Sequence, residues 1–144
     1  MNFCAIPAKN VADFWPEISP GLENLLAQHT LGRWSSGDVL DFLLAGEWQL
    51  FIVSRDSDIV ACLVCCILDG HKKTLEIGLC WGTDVDSWTD DVSQAFDRVA
   101  YEMGCKQLAL DGRPGWRKIM RKFGFKLDSV RYTREISHGR TFKQ

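Results

Sequence analysis

The hydrophobic pattern of the chain predicts an α+β fold, with a mixed, mostly antiparallel sheet flanked by helices, and three observations carry that prediction. Three strand-like runs, 48–53, 59–68 and 74–81, follow one another across polar connections too short to join anything but antiparallel neighbours. A run of helical period from 85 to 103 then leads into a further strand, 106–110, and a strand, crossover helix and strand imply a parallel pair. Two helical segments precede the three-strand meander.

Taken in order, Asn2 to Pro7 is a short apolar stretch ended by Pro7, the expected first strand. Val11, Phe14, Trp15, Ile18, Leu22, Leu25 and Leu26 recur at helical spacing, but Ser19-Pro20-Gly21 interrupts them, which predicts two helical pieces or one kinked helix. Ser36 or Asp38 is placed to cap a second helix through Val39, Leu40, Phe42, Leu43 and Leu44, which Gly46 closes. Ser54-Arg55-Asp56-Ser57-Asp58 links the first two meander strands, and Asp69-Gly70-His71-Lys72-Lys73 turns the chain into the third. On the next helix Val85, Trp88, Val92, Phe96, Val99 and Met103 share one face, with Ser87 and Asp90 as an expected capping box and Gly104 just past the end. After the strand 106–110 come a loop, Asp111-Gly112-Arg113-Pro114-Gly115, a short helix over 116–123 ended by Gly124, and a final extended segment over 125–136. The expectation is one domain over 1–136 with a polar C-terminal tail at 137–144.

Composition agrees with that size of domain. At 144 residues, 46% hydrophobic and 25% charged, the chain has ample apolar surface for one core. A net charge of −2 provides no overall basic field, so nucleic acid is not an expected partner unless a local patch supplies one. Residues 1–12 lack the pattern of a signal peptide, and the longest apolar run, Ile59 to Leu68, is about half of the roughly 20 residues that cross a bilayer. The expected location is the cytoplasm, with no membrane span.

Six cysteines include the pair Cys62 and Cys65 at a zinc-like spacing. In a strand, residues three apart point to opposite faces, so these two cannot grip one ion, and packing in a reducing compartment is expected instead of a metal site or disulfide. His29, His71 and His138 fall on a helix end, a turn and the tail, without metal-ligand spacing.

The order strand, two helices, three-strand meander, helix, strand, short helix, strand, with Gly124-Phe125 after an amphipathic helix, resembles the GNAT superfamily of acyl-CoA N-acyltransferases across nearly the whole chain. Gly112-Arg113-Pro114-Gly115-Trp116, followed by Ile119, Phe123, Gly124 and Phe125, is similar to the ending of small GNAT-like proteins encoded by bacteriophages. An internal virion protein of short-tailed phages is distantly similar at the same segment.

The resemblance implies acetyl-CoA as cofactor, held by a Q/R-x-x-G-x-G/A signature before the long helix, where glycines let backbone N–H groups approach the pyrophosphate. At those positions stand Asp84, Ser87 and Thr89, and Asp86, Asp90 and Asp91 add carboxylates where a diphosphate would arrive. The cofactor-binding residues it implies are Ser87 and Thr89, with Arg113 and Arg117 from the basic set around the last helix. That set also holds Lys118, Arg121, Lys122 and nearby Lys126, and it suits a phosphate or an acidic partner surface, or simply a solvated helix face. The resemblance further implies a general base on the fourth strand, matched by Glu76, and a tyrosine acid before the final Gly-Phe, where Met120 stands instead. Two function classes remain open. One is an acetyl-CoA-dependent N-acyltransferase with a degenerate coenzyme motif. The other is a noncatalytic virion or assembly component, or an effector bound to a host protein, with some of the six tryptophans as exposed anchors.

Overall fold

The computed structural model describes residues 1–29, 33–112, 114–134 and 136. Its sheet has five strands in the order β1 (Asn2–Ile6), β2 (Gln49–Arg55), β3 (Asp58–Leu68), β4 (Thr74–Gly82) and β5 (Gln107–Leu110). The first four are antiparallel neighbours, and β5 runs parallel to β4. The helices are α1 (Val11–His29), α2 (Ser36–Leu44), α3 (Thr89–Glu102) and α4 (Arg117–Lys122).

Helix ends follow from local chemistry. Gly46, Gly104 and Gly124 all adopt positive φ, and each follows a helix closed by a six-to-one backbone bond, Glu47 N–H to Phe42 O, Cys105 N–H to Ala100 O and Phe125 N–H to Met120 O. The cap of α2 is Ser35, one residue before the expected Ser36. Ser35 Oγ accepts from the Asp38 N–H at 3.1 Å while Asp38 Oδ2 accepts from the Ser35 N–H at 2.9 Å, a reciprocal box that also lowers the Asp38 carboxyl pKa. Ser36 instead donates to Glu23 at 3.2 Å, tying α2 to α1.

Each face of the sheet carries its own core. On one, Trp88, Val92, Phe96 and Ala100 of the α3 region pack against Phe51, Val53, Ala61, Leu63, Leu75 and Ile77. Phe3, Phe51 and Phe96 meet there with ring centroids 5.1–5.3 Å apart. On the other face, Val11, Ile18, Leu22 and Leu26 of α1 and Val39 and Leu43 of α2 cover Leu50, Ile52, Cys62, Val64 and Leu79. Cys62 and Cys65 fall in opposite cores, as strand geometry requires, and burial pushes the Cys62 thiol up to about 12.

Of the two alternatives expected for the first helical segment, the structure has the single helix: α1 runs through Pro16 and Pro20, and the Trp81 indole lies against Gly21 and leaves no room for a Cβ there. The alternation Leu75, Ile77, Leu79, Trp81 does not face one core: the β3–β4 register skips Gly78, and this bulge sends Leu75 and Ile77 toward α3 but Leu79 and Trp81 toward α1. Residues 125–134, expected as a last strand, form neither strand nor helix, and Leu127, Val130 and Tyr132 are exposed. A strand exists only through pairing, and the apolar positions slip from odd to even between Leu127 and Val130, which specifies register weakly. The polar tail 137–144 lies outside the described residues.

Candidate active site at the parting of the parallel strands

The parallel pair holds together through Thr74–Gln107, Leu75–Leu108, Glu76–Ala109 and Ile77–Leu110, and its last bond runs from the Asp111 N–H to Ile77 O at 3.1 Å. Beyond Ile77, β4 continues to Gly82 with β3 while β5 has ended, so the two parallel strands part immediately after the Gly78 bulge. On the α3 face this opening is an apolar cavity of about 50 Å³ lined by Ile77, Cys80, Trp88, Leu110, Trp116 and Phe123, among others.

Glu76 sits at the crotch. Strand alternation turns it away from Leu75 and Ile77, toward the α1–α2 face, and Cys66 stands directly across on β3. The Cys66 thiol donates to Glu76 Oε2 at 3.7 Å, and Asp111, at the end of β5, lies near enough to the Glu76 carboxyl to act on its pKa. Partial burial raises the Glu76 pKa, and the Asp111 carboxylate raises it further; the Cys66 bond and the Arg33 guanidinium, stacked over Trp34 at 5.2 Å, oppose them. Burial and the same two carboxylates hold the Cys66 thiol above its ordinary range. Glu76 is legible as a strand carboxylate in the sequence. Asp111 is not, because 34 residues of intervening chain hide the parallel register that brings it beside Glu76, although a carboxylate directly after a crossover strand is a usable signal.

The turn from β4 into α3 is built around Asp84, whose φ of 50° places a non-glycine residue in the left-handed region. Its side chain pairs with Arg55 at 3.1 Å, its carbonyl accepts from Ser87 Oγ at 2.7 Å, and the buried Trp88 indole N–H donates to Thr83 O at 2.9 Å. The expected Ser87–Asp90 capping box does not form: Ser87 lies in a 3₁₀ turn, Trp88 occupies the cap position, and α3 begins at Thr89 with no side-chain cap. Thr89 borders the apolar cavity, Arg117 opens α4 on its exposed face, and Arg113 lies outside the described residues. Met120, half-buried, also lines the cavity. None of the six tryptophans is fully exposed: Trp88 is buried and the other five are half-buried.

The fold has counterparts among solved structures. One described as a probable acetyltransferase superposes with a TM-score of 0.69 over 95% of this chain and 99% of its own, at 13% identity. The fold is that of the GNAT acetyltransferases. An aminoglycoside acetyltransferase from an uncultured soil metagenomic sample, in complex with sisomicin, matches at TM-score 0.69 and 11% identity over 94% of this chain and 96% of that one. An aminoglycoside N-acetyltransferase in complex with CoA matches at TM-score 0.65 and 15% identity over 93% of each chain. No protein-family model matches the sequence, and no curated protein does. Among the described residues no helix is long and apolar enough to cross a membrane.

The GNAT fold implies CoA, and this turn does not fit the diphosphate part of it. The Ser87 hydroxyl is engaged with Asp84 O. Asp86, Asp90 and Asp91 are exposed around the first turn of α3, and of the four aspartates only Asp84 has an ion-pair partner among the described residues. Each close carboxylate repels a phosphate charge by about 1 kcal/mol in water. The apolar opening between β4 and β5 carries no such charge.

Proposed function

We propose that this GNAT-fold chain is an amine N-acyltransferase with weak coenzyme affinity, in which Glu76 is the general base. The observation that carries the reading is the position of the Glu76 carboxyl at the parting of β4 and β5, across from Cys66, where burial and the nearby Asp111 carboxylate raise its pKa. A base must hold a proton it has taken, and a carboxyl shifted up toward neutrality does so better than an ordinary one. The local negative charge of Glu76 and Asp111 favours a cationic amine acceptor. Ionised Glu76 takes a proton from the bound ammonium. The resulting neutral amine is the nucleophile for an acyl carbonyl. With Met120 at the position where the family's tyrosine stands, no side-chain acid serves the leaving group, so turnover is slow.

The test is an amine-acylation assay with millimolar acetyl-CoA and a panel of small primary amines, paired with calorimetry. Measurable transfer that falls about 100-fold or more in Glu76→Gln supports the assignment. No heat and no thermal stabilisation with millimolar acetyl-CoA, or equal rates in the variant, would overturn it.

A second reading is favoured by the aspartate turn and by Met120, both of which oppose ordinary catalysis. In it the chain is phage-encoded, resides in the host cytoplasm or the particle, and serves as a virion or assembly component or binds a host protein. The resemblance over Gly112–Phe125 supports that origin. Co-sedimentation with purified particles, together with no transferase activity, would favour it over the enzyme.

A further inference from the structure

A second opening lies at the other end of the sheet from the β4–α3 turn. The ends of β1 and α2, the start of β2 and the C-terminal turn of α3 enclose a cleft of about 480 Å³, within the range of ordinary small-molecule sites. Its walls are mostly apolar, with Ile6, Val11, Leu43, Trp48 and Met103 among them. The ring cluster of Phe3, Phe51 and Phe96 fills the α3 face only as far as Phe51, and Gly46, at positive φ with open space where a Cβ would stand, leaves the rim unobstructed.

Two polar features break the apolar lining. Gln49 begins β2, and its Oε1 is buried with no donor among the described residues. Such an acceptor is unfavourable when unmet. Glu102, the last residue of α3, is exposed at the rim and is the only charged residue among those lining the cleft. The C-terminal end of α3 adds partial negative potential, offset in part by Lys73, whose Nζ donates to Met103 O at 3.1 Å.

We propose that this cleft is a binding site for a small amphipathic amine, its apolar body against Ile6, Trp48 and Met103, its N–H groups donating to Gln49 Oε1 and its positive charge near Glu102. A carboxylate ligand meets repulsion at Glu102 and brings Gln49 Oε1 no donor. An alcohol satisfies Gln49 but gains nothing from the rim charge. The site is separate from Glu76 and stands or falls independently of the transferase reading.

The experiment is an amide NMR titration of the full chain with hexylammonium chloride, hexanol and sodium hexanoate at matched ionic strength, following the Gln49 side-chain NH₂ and the backbone of 99–103. Hexylammonium is expected to shift these signals saturably and to bind about fivefold or more tighter than hexanoate. Glu102→Gln, at an exposed position that leaves the fold intact, is expected to weaken it about two- to fivefold, and Gln49→Met about tenfold. Glu76→Gln is expected to leave this binding unchanged. Equal affinity for all three probes, shifts centred on Cys66, Glu76 and Asp111 that vanish in Glu76→Gln, or no shift at Gln49 at millimolar amine would each overturn the proposal.

Discussion

Gly21 sets two effects of opposite sign against each other. Replacing a helix-interior glycine by alanine ordinarily stabilises by about 0.5–1 kcal/mol, because the unfolded chain loses freedom. At Gly21, however, an added Cβ would stand 2.5 Å from Trp81 Nε1 and 2.7 Å from Cδ2, distances that real Cβ atoms do not tolerate. The ring is a rigid plate on a strand paired to Cys62, so it yields less readily than the end of a flexible side chain would. Overpacking of this kind costs about 1–3 kcal/mol. The clash therefore wins, and Gly21→Ala is expected to lose roughly 1–2 kcal/mol net, a fall in Tm of about 3–6 °C for a chain of this length. Gly37 in α2 is the control, since its added Cβ would meet only Ser35 Oγ at 3.7 Å, and Gly37→Ala is expected to gain about 0.4–1 kcal/mol. Thermal and urea unfolding of both variants measures this directly. A Gly21→Ala protein as stable as its parent would show that Trp81 is not held against α1 as described.

Glu76 has a folded pKa above its ordinary 4.5, so between the two values the folded state binds more protons than the unfolded one, and stability declines as pH rises through the folded value. Glu76→Gln is expected to flatten that decline in urea midpoints across pH, and an unchanged slope would remove the pKa argument; transferase activity, if present, rises over the same window as Glu76 ionises. Phe96→Ala is expected to cost about 3–5 kcal/mol by denaturant titration, because Phe96 is buried with the Phe3 and Phe51 rings each 5.1 Å away. Thiol titration of the native protein is expected to label exposed Cys4 quickly and to leave Cys62 and Cys65 unreacted until unfolding, since burial raises both thiols. Asp90→Asn with Asp91→Asn removes two charges at the α3 turn and is expected to tighten acetyl-CoA binding about fivefold per charge in calorimetry, and no change would mean that electrostatics does not set the affinity.

Much of this architecture is legible without coordinates because its causes are local. The glycines that end α2, α3 and α4 announce themselves, since only a residue tolerant of positive φ closes a helix in this way. The opposite facing of Cys62 and Cys65 follows from the pleat alone, and the parallel β4–β5 pair follows from a crossover helix between two strands. Glu76 is visible as a carboxylate on the fourth strand, and the aspartates before and within the first turn of α3 are visible as a local concentration of negative charge.

Tertiary structure alone decided the rest, wherever a residue's neighbour comes from distant chain. The Gly78 bulge depends on how β3 and β4 pair, and it reassigns Leu79 and Trp81 to the other core despite unbroken alternation in the sequence. The continuity of α1 through Pro20 runs against local helix propensity, and the close approach of Trp81 to Gly21 is visible only in the folded chain. The nearness of Glu76 to Asp111, and the enclosure of Gln49 between β2 and α3, are products of register and helix placement. Side-chain chemistry is written in the sequence, but proximity between distant segments is fixed by the balance of burial over the whole fold, and the two candidate sites exist only through that proximity.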